Sequence, residues 1–220
     1  MLAKLVGASI DPARLGAAVD AVADELIPGF LDLDGSLDGY WAVDPESGGV
    51  LVITLWRDVA SLRGAAPADG VARATVGDRI GLRVHSVHAL PVLACSSLTD
   101  LSEDPSDPGS IRVTWVDGVV PALRELVPER FGSTLADQSS TRGFRGSCWL
   151  GDEQSSEGCA VSLWDHTANP VAGAFASRRR RHRLERTMGL RIRSVHEYRI
   201  VGVAHTASAR TSAALDAVGV

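Results

Sequence analysis

The chain has little of what many chemistries require. Its 220 residues hold three cysteines, two methionines and aromatics at only 5%. An odd cysteine count with no C-x-x-C spacing argues for reduced thiols, against a disulfide scaffold or a zinc site. No apolar run reaches the ~18 residues that cross a bilayer, so no membrane partner is expected. The start, MLAKLVGASIDPARL, lacks the apolar core and small-residue cleavage site of a signal peptide, which leaves the cytoplasm as the expected address. Formal charge is −5, which gives no reason to expect nucleic acid as a partner. There is no Gly-rich phosphate loop, no G-x-S-x-G and no H-E-x-x-H. The acidic stretches SEDPSD and GDEQSSEG lack metal-loop spacing, so no metal is expected.

What is present is a repeat. GLRVHSVHAL at 81–90 returns as GLRIRSVHEY at 189–198. At an offset of 108 residues, Gly35 falls on Gly143, Trp41 on Trp149, Leu55-Trp56 on Leu163-Trp164, and His88 on His196, with no gap between 35–94 and 143–202. Two copies make a tandem pair rather than a solenoid.

Each half reads as βαββαβ. A short apolar strand (3–9; 111–116) precedes a helix, which Asp11 caps and Pro12 opens in the first half. In the second half Pro128 should end or kink that helix. Two strands joined by a polar turn follow, each pair ending in Leu-Trp. A second helix covers about 58–76 and 167–186, and the closing strands cover 80–93 and 188–203. This order is the ferredoxin-like split unit. The expected divisions are a first repeat over 1–94, a Ser/Asp/Pro-rich linker over 95–110, a second repeat over 111–205 and a tail over 206–220. A four-stranded sheet with helices on one face leaves the other face bare. Two copies in one chain can cover each other sheet to sheet, a pseudo-dimer that could pair again as a homodimer.

The pattern G-x-x-x-x-x-W…L-x-I-T-L-W, a helix, then G-L-x-V-x-S-V-H resembles the dimeric α+β barrel superfamily, most of all its antibiotic-biosynthesis-monooxygenase-like branch. The resemblance implies an α+β fold of two ferredoxin-like units packed as an intramolecular barrel, with a ligand pocket between sheet and helices within a unit. It also implies a monooxygenase-like activity on an aromatic, polyketide-like small molecule, without metal or flavin. A non-catalytic binding protein using the same pocket is the alternative, and haem binding or degradation the third.

The family's functional tryptophan falls on Trp56 and Trp164, with Trp149 and Phe175 as further substrate-binding candidates. Both tryptophans at the strand ends also suit packed core positions. The oxygenases pair this tryptophan with an asparagine or other polar partner, whereas the only asparagine here is Asn169, on the following helix. His88 and His196 suit satisfied core histidines, with His196 as a secondary base. On the helix containing SRRRRHRLER, helical spacing puts Ala168, Ala172, Phe175, Arg179 and His182 on one face, where the first half has Val71 and Ala74 for the last two. If that face looks at the sheet, Arg179 and His182 would hold or deprotonate a phenolate in the second half. The same arginine run also suits a solvated helix end. Haem would draw its ligand from His166, His182 or His196.

Overall fold

A computed structural model describes residues 1–96, 109–165, 182 and 185–206. The chain is α+β, with eight strands: β1 (Leu2–Ser9), β2 (Ser36–Val43), β3 (Gly49–Trp56), β4 (Arg83–Cys95), β5 (Ser110–Asp117), β6 (Phe144–Asp152), β7 (Glu157–Trp164) and β8 (Arg191–His205). Two compact units divide it, one of Met1–Ala89 with Tyr198–Val220 and the other Leu90–Glu197. Each long strand, β4 and β8, therefore contributes its two ends to different units.

In the first unit β3 lies between β1 and β2, and β2 pairs on its other side with the end of β8. In the second unit β7 lies between β5 and β6, and β6 pairs with the end of β4. The registers repeat. Leu2 pairs with Trp56 and Ser110 with Trp164; Ser9 pairs with Gly49 and Asp117 with Glu157. The same 108-residue offset thus reaches back through the opening strands. Both hairpins also carry an irregularity near the same place, at Ser36/Gly39 and at Phe144/Gly146.

The first helical stretch begins with the 3-10 turn Pro12–Arg14, whose cap Asp11 accepts the Ala13 N–H. It continues through α1 (Leu15–Ala21), a π-turn at Val22–Leu26 and α2 (Ile27–Leu31). Its counterpart α4 (Pro121–Ser139) continues past Pro128, so the helix does not end there. An interior proline costs one backbone hydrogen bond. Val127 and Phe131, buried against Trp149 and Met188, hold the two sides of the interruption on one core.

The helix α3 (Val59–Ile80) is capped by Asp58, which accepts the Ser61 N–H, and ends at Gly81 in the left-handed region (φ 76°). Its buried side is Ala65, Val76, Gly77 and Ile80, while Val71 and Ala74 face solvent. The expected sheet-facing side is thus the outer one. Alanines and glycines spread around this helix leave little contrast between its faces, so spacing alone misassigns the phase.

Two other expectations change. The closing strands are largely open where they repeat: Val84, Val87 and Val195 are exposed, His88 is half-buried and His196 exposed, so neither histidine is a core residue. The end of β4 also sets Cys95 opposite Cys148, and the two form a disulfide. Cys159 is free and buried. Among the described residues no helix is long and apolar enough to cross a membrane.

Candidate functional site

The second unit contains a cavity of about 110 Å³ between its sheet and α4. An engineered apolar cavity of about 150 Å³ admits benzene, so this somewhat smaller space is on the scale of a single aromatic ring. All of its lining residues belong to this unit.

Strand alternation builds one wall. On β5, Ile111 and Val113 are buried while Arg112, Thr114 and Val116 face the cavity. Ser162 and Trp164 on β7 and Ser147 and Trp149 on β6 complete that wall. Trp164 is 3% exposed. Its indole N–H donates to Ser162 Oγ at 2.9 Å, and the Phe144 ring meets it edge-on at 5.2 Å. The Arg112 guanidinium lies over the same ring, 5.4 Å from its centroid. Two Arg112 N–H groups, Nε and Nη2, donate to Glu197 Oε2 at 3.2 and 2.9 Å. The opposite wall is α4, through Val127, Thr134 and Gln138. Glu185, Met188 and Leu190 close a third side.

The first unit shows why the space is open. The turn after its helix is made by Leu33 N–H to Phe30 C=O and Ser36 N–H to Leu33 C=O. In the second unit, Thr141 N–H bonds Gln138 C=O and Phe144 N–H bonds Thr141 C=O. Gln138 therefore occupies the place of Phe30. Phe30 is buried edge-on against Trp41 and Trp56, at 5.7 and 5.6 Å. The same offset sets Thr134 for Leu26, Ala160 for Val52 and Glu185 for Gly77. At the first three of these places aromatic or aliphatic volume becomes a shorter or polar side chain, while at the fourth a carboxylate is added. Arg112 has a counterpart in Lys4, which is buried and ion-paired to Asp69 of α3.

Of the sequence-predicted residues, the structure brings Trp164 and Trp149 into the cavity. Trp56 is 1% exposed in the first unit's core, its indole N–H on Thr54 Oγ1 at 2.9 Å. His182 is exposed and faces Glu185, Nδ1 to Oε2 3.2 Å. Exposed His196 lies outside the lining. Arg179 and Phe175, like His166 and Asn169, lie outside the described residues. Sequence reasoning missed Arg112, Gln138 and Glu185. The signal for Arg112 was a basic residue in alternation on a strand otherwise apolar, repeated at Lys4. Cys159 also lines the space, and burial pushes its thiol well above the usual range. Among the described residues no group of three His, Cys, Asp or Glu could hold a metal.

No family model and no curated protein matches the chain. Solved structures do. A candidate monooxygenase from Fusobacterium nucleatum superposes with TM-score 0.65 at 10% identity, over 93% of this chain and 94% of its own. A candidate monooxygenase from Lactobacillus acidophilus gives 0.62 at 12%, over 93% and 95%. An anthrone oxidase-like protein gives 0.58 at 14%, over 94% of each chain. At these identities the likeness establishes the fold, and the chain has along nearly its whole length the ferredoxin-like α+β fold of these monooxygenase-like proteins.

Proposed function

We propose that the chain is a monooxygenase-like enzyme that oxidises an aromatic, polyketide-like small molecule in the cavity of its second unit, without metal or flavin. The observation that carries this reading is the lining: two tryptophans and apolar side chains form a slot of aromatic-ring size, with one guanidinium against the Trp164 ring. Trp149 and Trp164 would flank the ring system, and Arg112 would favour a phenolate oxygen. Arg179 and Phe175 belong to the same reading as sequence-based candidates, and His196 as an outlying base. An electron-rich phenolate can itself supply electrons to oxygen. For a phenol with an activated methylene beside its ring, the CH₂ becomes C=O. One atom of O₂ enters the product, and the other leaves as water with the two methylene hydrogens.

A haem reading finds less support. His182 and His196 are exposed and line no part of the cavity, and a haem is far larger than a space of about 110 Å³. The test is oxygen uptake with anthrones and polyphenols, with product mass shifts in ¹⁸O₂. Uptake that saturates with substrate and places one labelled atom in the product supports the enzyme. Saturable binding with no uptake converts the protein to a binding module.

A further inference from the structure

Glu185 is the residue that neither the repeat nor core packing explains. Its counterpart Gly77 is buried in the first unit and carries no side chain. In the second unit a carboxylate is added at this place, and it lines the cavity. Its two oxygens are separately engaged. Oε1 accepts the Ile192 backbone N–H at 3.1 Å. Oε2 faces His182 Nδ1 at 3.2 Å. The Glu185 side chain is 30% exposed and that of His182 68%, so the pair runs from the cavity wall to solvent. The other charged group among the described lining residues, Arg112, is tied to Glu197.

On the reading of the cavity as a phenol site, we infer that Glu185 is its proton acceptor and that His182 carries the proton out. The phenolic O–H bond breaks and the proton bonds to a Glu185 carboxylate oxygen. His182 Nδ1, in the tautomer protonated at Nε2, takes that proton from Oε2, and Nε2 releases its own to water. The phenolate stays in the slot. The Ile192 N–H fixes the carboxylate while the histidine drains it, and a base held in position is what general-base catalysis requires. Substrate deprotonation is thereby removed from His182, which touches the carboxylate rather than the cavity.

The test uses the full chain and 4-nitrocatechol, whose absorption separates neutral from ionised forms. At a pH where the free probe is neutral, binding to the wild type should give the anion spectrum. In Glu185→Gln, which keeps the shape and an acceptor for Ile192, the probe should bind with similar affinity yet stay neutral. Melting curves establish that the variant folds. In His182→Asn the anion should form roughly a hundredfold more slowly, with added imidazole restoring the rate. An anion of full intensity in Glu185→Gln overturns the role of Glu185, and wild-type rates in His182→Asn overturn the relay. No saturable spectral or calorimetric signal from the wild type sinks the phenol-site reading and this inference with it.

Discussion

If Gln138 occupies the place of Phe30, then Gln138→Phe should close the cavity and Phe30→Gln should open its counterpart, with opposite effects on stability. A ring at 138 would sit against Trp164 and Trp149 as Phe30 sits against Trp56 and Trp41. Burying it contributes about 2 kcal/mol, and one edge-to-face contact adds about 1 kcal/mol. Lower helix propensity subtracts a few tenths. Phe144 and Phe131 already touch these indoles at 5.2 and 5.4 Å, so crowding costs about 1 kcal/mol or more. The net gain is about 1 kcal/mol, a rise in Tm of about 2–4 °C for a chain of this size. Phe30→Gln removes a ring packed between two tryptophans and leaves an amide in its place. By analogy with Phe truncations it should cost about 3–5 kcal/mol. Circular-dichroism melts read the stability, and titration with 4-nitrocatechol reads the site. Gln138→Phe should weaken binding by at least about tenfold, the factor for 1.4 kcal/mol. If Gln138→Phe destabilises as much as Phe30→Gln and leaves probe binding unchanged, the equivalence of the two positions is wrong.

Three further outcomes are expected. Lys4→Met should cost about 1–2 kcal/mol in urea unfolding, because Asp69 keeps Arg73 at 3.0 Å. Asp69→Ala strands two cations and should cost about 3–5 kcal/mol; the reverse order would show that Lys4 is not held by that pair. Ser47, the Ser61 N–H and the Gln154 N–H hold the carboxyls of Asp44, Asp58 and Asp152 respectively below the usual range. A lowered folded value stabilises above the unfolded value, about 3.9, and the contribution disappears as pH falls below it. Tm should therefore drop between pH 5 and 2, less steeply in Asp58→Asn; an unchanged slope removes Asp58 from the account. Iodoacetamide at neutral pH should label no cysteine in the native protein, one after unfolding without reductant, and three after reduction. Label on more than one before reduction would mean that Cys95 and Cys148 are not joined.

The parts of the fold legible in the sequence were those carried by pattern. The offset that aligns Trp56 with Trp164 and Gly35 with Gly143 also aligns the pairing of Leu2 with Trp56 and Ser110 with Trp164. Turn residues and alternation located the hairpins to within a few residues. What pattern could not supply was partner choice and phase. Nothing local says that the end of β4 pairs with β6, so Cys95 and Cys148 read as unrelated thiols. Nothing in a helix of alanines and glycines says that Ala65 and Val76, rather than Val71 and Ala74, turn inward. The same misread phase put His182 in the presumed pocket, whereas it stands outside and touches the residue that lines it. The cavity was hidden for another reason. It comes from what Gln138 and Ala160 do not fill, and a missing ring leaves no signal in one half until the other half is laid beside it.

That comparison also bears on how one chain can hold both a rigid frame and an open slot. The two units share their tryptophans, the strand hydroxyl that accepts the indole N–H of Trp56 and of Trp164, and the basic residue on the opening strand. In the first unit those features are sealed by Phe30, Leu26 and an internal ion pair. In the second they are left facing space. A cavity in a packed core costs stability roughly in proportion to its volume, and polar side chains on its wall add to that cost unless each finds a partner. The first unit fills that place with Phe30 and pairs its buried Lys4 with Asp69, and the second meets part of the cost by pairing Arg112 with Glu197 and Glu185 with the Ile192 N–H. Among the groups facing the slot, two indoles, the Arg112 guanidinium and an anchored carboxylate are those a phenolic ring would meet, so the stability given up in the second unit is concentrated where a ligand can restore it.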